Sequence, residues 1–183
     1  GIDSFVISAR LDPAWSKREF LEGLEIIRVE TGRNRSMFRF WLGTALELLR
    51  RRREYSIVHS HGLNPSHGFS MFCGHVLKKP SLGKLSIANS DIDFTVHGKL
   101  IGSLHKWFLK HANRYVAISY ALKRELEASG LGPDKCIYIP NGVDTGKFFP
   151  ADPVRKKAVR KSLGLPADAV LVLFIGVVDT RKG

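Results

Sequence analysis

The chain has two cysteines, Cys73 and Cys136, too few for a disulfide framework. The plain expectation is a reducing compartment in which both thiols act as small apolar residues. No apolar run approaches the roughly 20 residues that cross a bilayer, and no signal-peptide pattern opens the chain, so a cytoplasmic protein is expected. Acidic residues are also scarce, with 17 Asp and Glu against 29 Lys and Arg, a formal net charge of +12. That balance predicts attraction to anions: diphosphates, phospholipid headgroups or nucleic acid. A nucleic-acid partner is not expected, because no reader motif and no aromatic-basic interleaving on one strand accompanies the charge. An initiating methionine is lacking as well. The chain enters a strand-like Phe5-Val6-Ile7-Ser8 almost at once, which raises the expectation of a missing start.

What is present is ordinary for a globular protein, with 44% hydrophobic and 25% charged residues. Short apolar runs at 5–8, 25–29, 56–59, 85–88, 115–118, 136–139 and 170–175 alternate with helical periodicities. The runs are mostly continuous rather than alternating, as in strands covered on both faces. Strand–helix alternation predicts an α/β fold with a parallel, right-handed Rossmann-like sheet flanked by helices. A helix is predicted over 36–53, with Phe38, Trp41, Leu42, Ala45 and Leu49 sharing its inward face and Phe40 opposite. Arg50 to Arg53 gather at its C-terminal end, where cations complement the helix dipole. A second helix, 103–112, turns Leu104, Trp107 and Phe108 inward. A third starts at Ser119, packs Leu122 and Leu126 and stops at Gly130. His67, His75, His105 and His111 read as surface or interhelical residues. A basic helix over 154–163 ends at Gly164. Pro150, Asp152 and Pro153 precede it and set the expected domain boundary, 1–150 against 151–183.

In open parallel sheets, ligands collect beyond the carboxyl ends of the strands, where helix N-termini offer unpaired amides. Here those ends carry His59, His61 and Gly62, then Asn89 to Asp93, Ser119, Asn141-Gly142 and Gly176. The i, i+2 spacing of His59 and His61 would suit a metal, but no Cys, Asp or Glu completes a set locally, and none is expected. Ser119 reads equally as a helix cap and as a binding residue. Asn141-Gly142 reads as a turn into a hinge or as part of the site.

Several of these pieces together resemble the retaining GT-B glycosyltransferases of family 4. They are His59-Ser60-His61-Gly62, Ala117-Ile118-Ser119, Ile139-Pro140-Asn141-Gly142-Val143-Asp144 with Phe148, and Ser162-Leu163-Gly164-Leu165-Pro166. The strand ending at Gly176, followed by Lys182-Gly183, completes the set. The resemblance implies two Rossmann-like domains around a cleft. In it, residues 1–150 would be the acceptor-side domain lacking its first strand, and 151–183 the linker helix and first strand of the donor-binding domain. The co-substrate would be a nucleotide-diphosphate sugar, with no metal or other cofactor. The acceptor would be a lipid-linked or polysaccharide chain. Ser119, Gly176 and Lys182 would hold the donor, and His59, His61, Gly62 and Asn141 would stand on the acceptor side. Positive side chains and a helix N-terminus would neutralise the leaving diphosphate, which itself helps remove the acceptor proton.

Two positions depart from the family pattern. Val177 stands where members usually place a diphosphate-gripping Arg. The His-Gly that flanks the reacting sugar has two possible counterparts: spacing puts it at Ala88-Asn89, while Thr95-Val96-His97-Gly98 matches in residue type. Both alignments stay open, so Asn89, Asp91 and His97 are the catalytic candidates. These departures favour an alternative, a non-catalytic glycan- or partner-binding module on the same fold. The basic helix over 36–53 has two readings too. One is an ordinary sheet-covering helix. The other is a peripheral contact with an anionic membrane at its inner face, through Arg39, Arg50 to Arg53 and an outward Phe40.

Overall fold

A computed structural model describes residues 3–31, 37–87, 92 and 98–176. By its contacts the chain divides into two units, residues 1–141 and 142–183.

The first unit contains two sheets among the described residues. One is four-stranded and wholly parallel, in the order β4 (Val58–His61), β5 (Ser81–Leu85), β6 (Arg114–Ala117), β7 (Cys136–Tyr138). Helices α2 (Pro65–Val76), α3 (Gly98–Lys110) and α4 (Tyr120–Ala128) connect neighbouring strands in that order. Right-handed crossovers stepping one way put all three helices on one face. Their side chains meet there: Leu63, Met71, Leu85, Leu109, Tyr115, Ala117, Leu122 and Leu126 form one buried cluster. The expected parallel α/β architecture is therefore present.

The other sheet has the order β1 (Phe5–Arg10), β3 (Leu24–Glu30), β2 (Arg18–Leu21). β1 runs parallel to β3, and β2 pairs antiparallel with it. A single sheet was the expectation; instead, β1 and β4 belong to separate ladders. The two sheets share a core nonetheless, since Ile7 of β1 packs on the cluster of Leu48, Val58 and Cys73. Burial there pushes the Cys73 thiol up to about 11, which keeps it protonated and inert.

Local chemistry explains the helix ends. Asn64 accepts bonds from the amides of Ser66 and His67 ahead of Pro65, which opens α2 at the position where a missing N–H costs nothing. Ser119 Oγ accepts from Leu122 N and starts α4. Gly130, at φ 74°, follows that helix in the left-handed conformation.

Three expectations need correction. The fourth run is displaced, because the strand is Ser81–Leu85 rather than 85–88. Small residues Ser81 and Gly83 fit the crowded face under the helices, and composition alone undervalues them as strand formers. Helix α1 (Met37–Arg50) buries Trp41, Thr44 and Leu48, whereas Phe38, Leu42 and Leu49 face solvent and Phe40 is half-buried. In α3 the buried residues are Gly102, His105, Phe108 and Leu109, leaving Leu104 and Trp107 exposed. His105, read as surface or interhelical, is the interhelical kind: it is 2% exposed, lies against Gly68 of α2 and bonds the carbonyl of Leu63 through Nε2.

The second unit holds α5 (Pro153–Ser162), capped by Asp152 Oδ1, which accepts from the amides of Val154 and Arg155. Arg160 Nη1 donates to the carbonyls of Pro166, Ala167 and Ala169 and fastens the segment after the helix. The expected strand over 170–175 is not formed. Its residues are exposed, Val172 at 95%, and no strand among the described residues offers them a ladder. A parallel strand is stable only when neighbours satisfy its amides and carbonyls.

Candidate active site

The four parallel strands finish along one edge. Register pairs His61 with Lys84, Leu85 with Ala117, and Ala117 with Tyr138, so their carboxyl ends lie side by side. The ladder continues one step past β4 and β7, through Gly62 N to Lys84 O at 2.8 Å and Ile139 N to Ala117 O at 3.0 Å. Gly62 takes φ 89°, a left-handed conformation that a side chain would strain. Ser119 comes just after β6, and Asn141 comes after Ile139 in exposed chain. The structure thus brings His61, Gly62, Ser119 and Asn141 to one edge of one sheet.

Ser119 settles into the capping role: its hydroxyl accepts from Leu122 N at 3.2 Å. The N-terminus of α4 still points its early amides at the edge. Beside it, the rings of Tyr120 and Tyr138 stack 4.3 Å apart at 23°. Tyr120 is the first residue of α4 and Tyr138 the last of β7. An aromatic pair at this edge offers a flat apolar surface with two hydroxyls, suited to a sugar ring or a nucleobase. Sequence reasoning missed both tyrosines. The available signal was their position, each close to a motif residue.

His59 and His61 project from the same face of β4, with ring centroids 4.6 Å apart. Lys84, opposite His61 in register, joins them. Burial, then the neighbouring His61 and Lys84, hold His59 below its ordinary value of 6.5. Among the described residues no three His, Cys, Asp or Glu side chains gather as metal ligands.

The lowered His59 value has a measurable consequence. The unfolded chain takes up this proton near pH 6.5, the folded chain only at lower pH, so acidification favours the unfolded state. Stability is expected to fall as pH drops below about 6.5, and His59→Gln should flatten that part of the profile. Denaturation midpoints measured across this range check it; an unchanged slope in the variant would assign the effect to another group.

Asn89, Asp91, His97, Val177 and Lys182 lie outside the described residues. Gly176 is exposed and belongs to the second unit. In that unit Asp144 Oδ1 accepts from Gly146 N at 3.0 Å, closing a turn after the Asn141-Gly142-Val143 segment.

The parallel four-stranded sheet with its covering helices is a Rossmann-like architecture. The fold neighbour agrees: a crystal structure of Anabaena Alr3699/HepE in complex with UDP and glucose superimposes with a TM-score of 0.52 at 14% identity, covering 78% of this chain and 37% of that one. The sequence profile of glycosyltransferase family 4 matches residues 1–147, and the chain belongs to that family. Similar proteins include D-inositol 3-phosphate glycosyltransferase of Kineococcus radiotolerans, 38% identical over 86 residues, which cover 46% of this chain and 19% of that protein. Alpha-maltose-1-phosphate synthase of Mycolicibacterium smegmatis is 26% identical over 151 residues, covering 78% of this chain and 38% of that protein. The chain therefore corresponds to well under half the length of these relatives.

Proposed function

We propose that this chain is the acceptor-side part, with the beginning of the donor-binding part, of a retaining glycosyltransferase. The reaction moves a sugar from a nucleotide-diphosphate donor to a lipid-linked or polysaccharide acceptor, with no metal or other cofactor. The observation that carries this reading is the shared carboxyl edge of β4, β6 and β7, where His61-Gly62, Ser119 and Asn141 converge. Family membership and a fold neighbour holding UDP and glucose support it.

In this reading His59, His61, Gly62 and Asn141 position the acceptor, and Asn89, Asp91 and His97 supply the groups around the reacting sugar. Gly176, Lys182 and the amides after Ser119 hold the diphosphate. The protein contributes position and electrostatics; each preorganised donor to the developing charge is worth about 2.7–4 kcal/mol. With a lipid-linked acceptor, the work is done in the cytoplasm at the inner face of a membrane.

Such relatives are longer than these 183 residues, and in this reading the remaining donor contacts come from further sequence, so the isolated chain is expected to transfer no sugar. The test expresses the product of the flanking coding sequence, screens nucleotide sugars by thermal shift, and assays transfer with the best donor. In that protein His61→Ala should lower kcat/KM for the acceptor about ten- to a hundredfold while the donor KM holds. Turnover by the 183-residue chain alone would contradict this division of labour. Thermal shifts by glycans, with none by any nucleotide sugar, would support instead the non-catalytic binding module that Val177 suggests.

A further inference from the structure

Helix α1 carries two apolar stripes, and only one of them faces the protein. Trp41, Thr44 and Leu48 are buried against the core. Phe38, Leu42, Leu46 and Leu49, at i, i+4, i+8 and i+11, line a second stripe and are 69%, 63%, 40% and 46% exposed. Four large apolar side chains in one exposed row exceed the scattered apolar residues of an ordinary surface. Cations rim the row. Arg39 and Arg50 lie along one flank at helical spacing, and Arg52 and Arg53 stand just past the helix end, all exposed.

The edge strand β2 is tied to α1 by an ion pair. Arg18 of β2 bonds Glu47 of α1 at 3.2 Å, and Arg51 bonds Glu25 of β3 at 2.7 Å. Phe20 pairs in register with Glu25 and shares the parity of Arg18, so it projects on the helix side of the sheet, where it is 75% exposed. An aromatic ring thus stands exposed on the helix side of the edge strand.

We infer that this face of α1 is a docking surface for an anionic lipid bilayer, with the helix lying in the plane of the headgroups. The apolar row would enter the acyl boundary while the arginines contact phosphates. Charge complementarity selects this occupant. A second copy, paired through the same face about a two-fold axis, would bring one arginine rim towards the other. A bilayer of anionic lipids offers apolar depth and negative charge together. No helix among the described residues is long and apolar enough to cross a membrane, so the contact is peripheral. The residues differ from the outward Phe40 expected from sequence, because Phe40 is half-buried.

Co-sedimentation of the 183-residue chain with vesicles tests the inference without any sugar transfer, so its outcome is separate from that of the proposed reaction. The chain should pellet with phosphatidylglycerol–phosphatidylcholine vesicles, bind pure phosphatidylcholine at least about tenfold more weakly, and be released by salt. The double change Phe38→Ser with Leu42→Ser should reduce binding about tenfold or more. Arg50→Gln with Arg53→Gln, which removes no apolar contact, should reduce it about thirtyfold. Both variants alter exposed positions, and unchanged circular dichroism and thermal midpoints confirm their fold. Absent binding, equal binding to neutral and anionic vesicles, or binding that survives both variants overturns the inference. So does a dimer in gel filtration that Phe38→Ser with Leu42→Ser dissolves.

Discussion

Replacing Trp41 with alanine is expected to destabilise the 1–141 unit by about 3–5 kcal/mol, the range for emptying a buried aromatic position. Trp41 lies where three helices meet. Its ring stacks on Phe69 of α2 at 5.0 Å and 9°, meets Phe108 of α3 edge-on at 5.6 Å, and its Nε1 donates to Ser66 Oγ at 3.1 Å. Alanine would remove the aromatic area, both ring contacts and one hydrogen bond together, leaving a cavity lined by side chains from elements far apart in sequence. Urea unfolding followed by far-ultraviolet circular dichroism reads the loss. A change below about 1 kcal/mol would mean that α1 is fastened elsewhere, through Thr44 and Leu48 or through Arg51.

A methyl group added at Gly83 is expected to cost about 1–3 kcal/mol, the usual penalty of overpacking. Gly83 is the middle residue of β5, on the face that receives α2 and α3. A Cβ there would stand 2.5 Å from Leu63 Cδ2, 3.1 Å from Met71 Sδ and 3.2 Å from Tyr115 Cδ1. All three side chains are fully buried, so the first of these contacts can be relieved only by moving packed core. Gly142→Ala is the control, since nothing lies within 4 Å of the added atom. Equal stabilities for the two variants in urea would show that the spacing of sheet and helices relaxes freely.

The same packing explains the misplaced strand. Residues 81–85 read Ser-Leu-Gly-Lys-Leu, a weak strand by composition, yet the helices above require small residues at Ser81 and Gly83. The candidate site was partly legible for a different reason. His61-Gly62, Ser119 and Asn141 each stand at or just past the end of an apolar run, and a parallel sheet gathers such strand ends at one edge. The Tyr120–Tyr138 stack was not legible, because its partners lie 18 residues apart and meet only when β6 and β7 pair.

Neighbouring residues alone encode the alternation of strands and helices, the caps at Ser119 and Asp152, and the left-handed stop at Gly130. Such features depend on bonds spanning a few residues, so a linear reading reaches them. Tertiary packing was needed to settle which stripe of α1 is buried, that His105 bonds Leu63 inside the core, that β2 joins β3, and that residues 170–175 form no strand. Each of these depends on a partner remote in the chain or on its absence among the described residues. Apolar periodicity says that a surface seeks cover, and packing alone says which surface receives it.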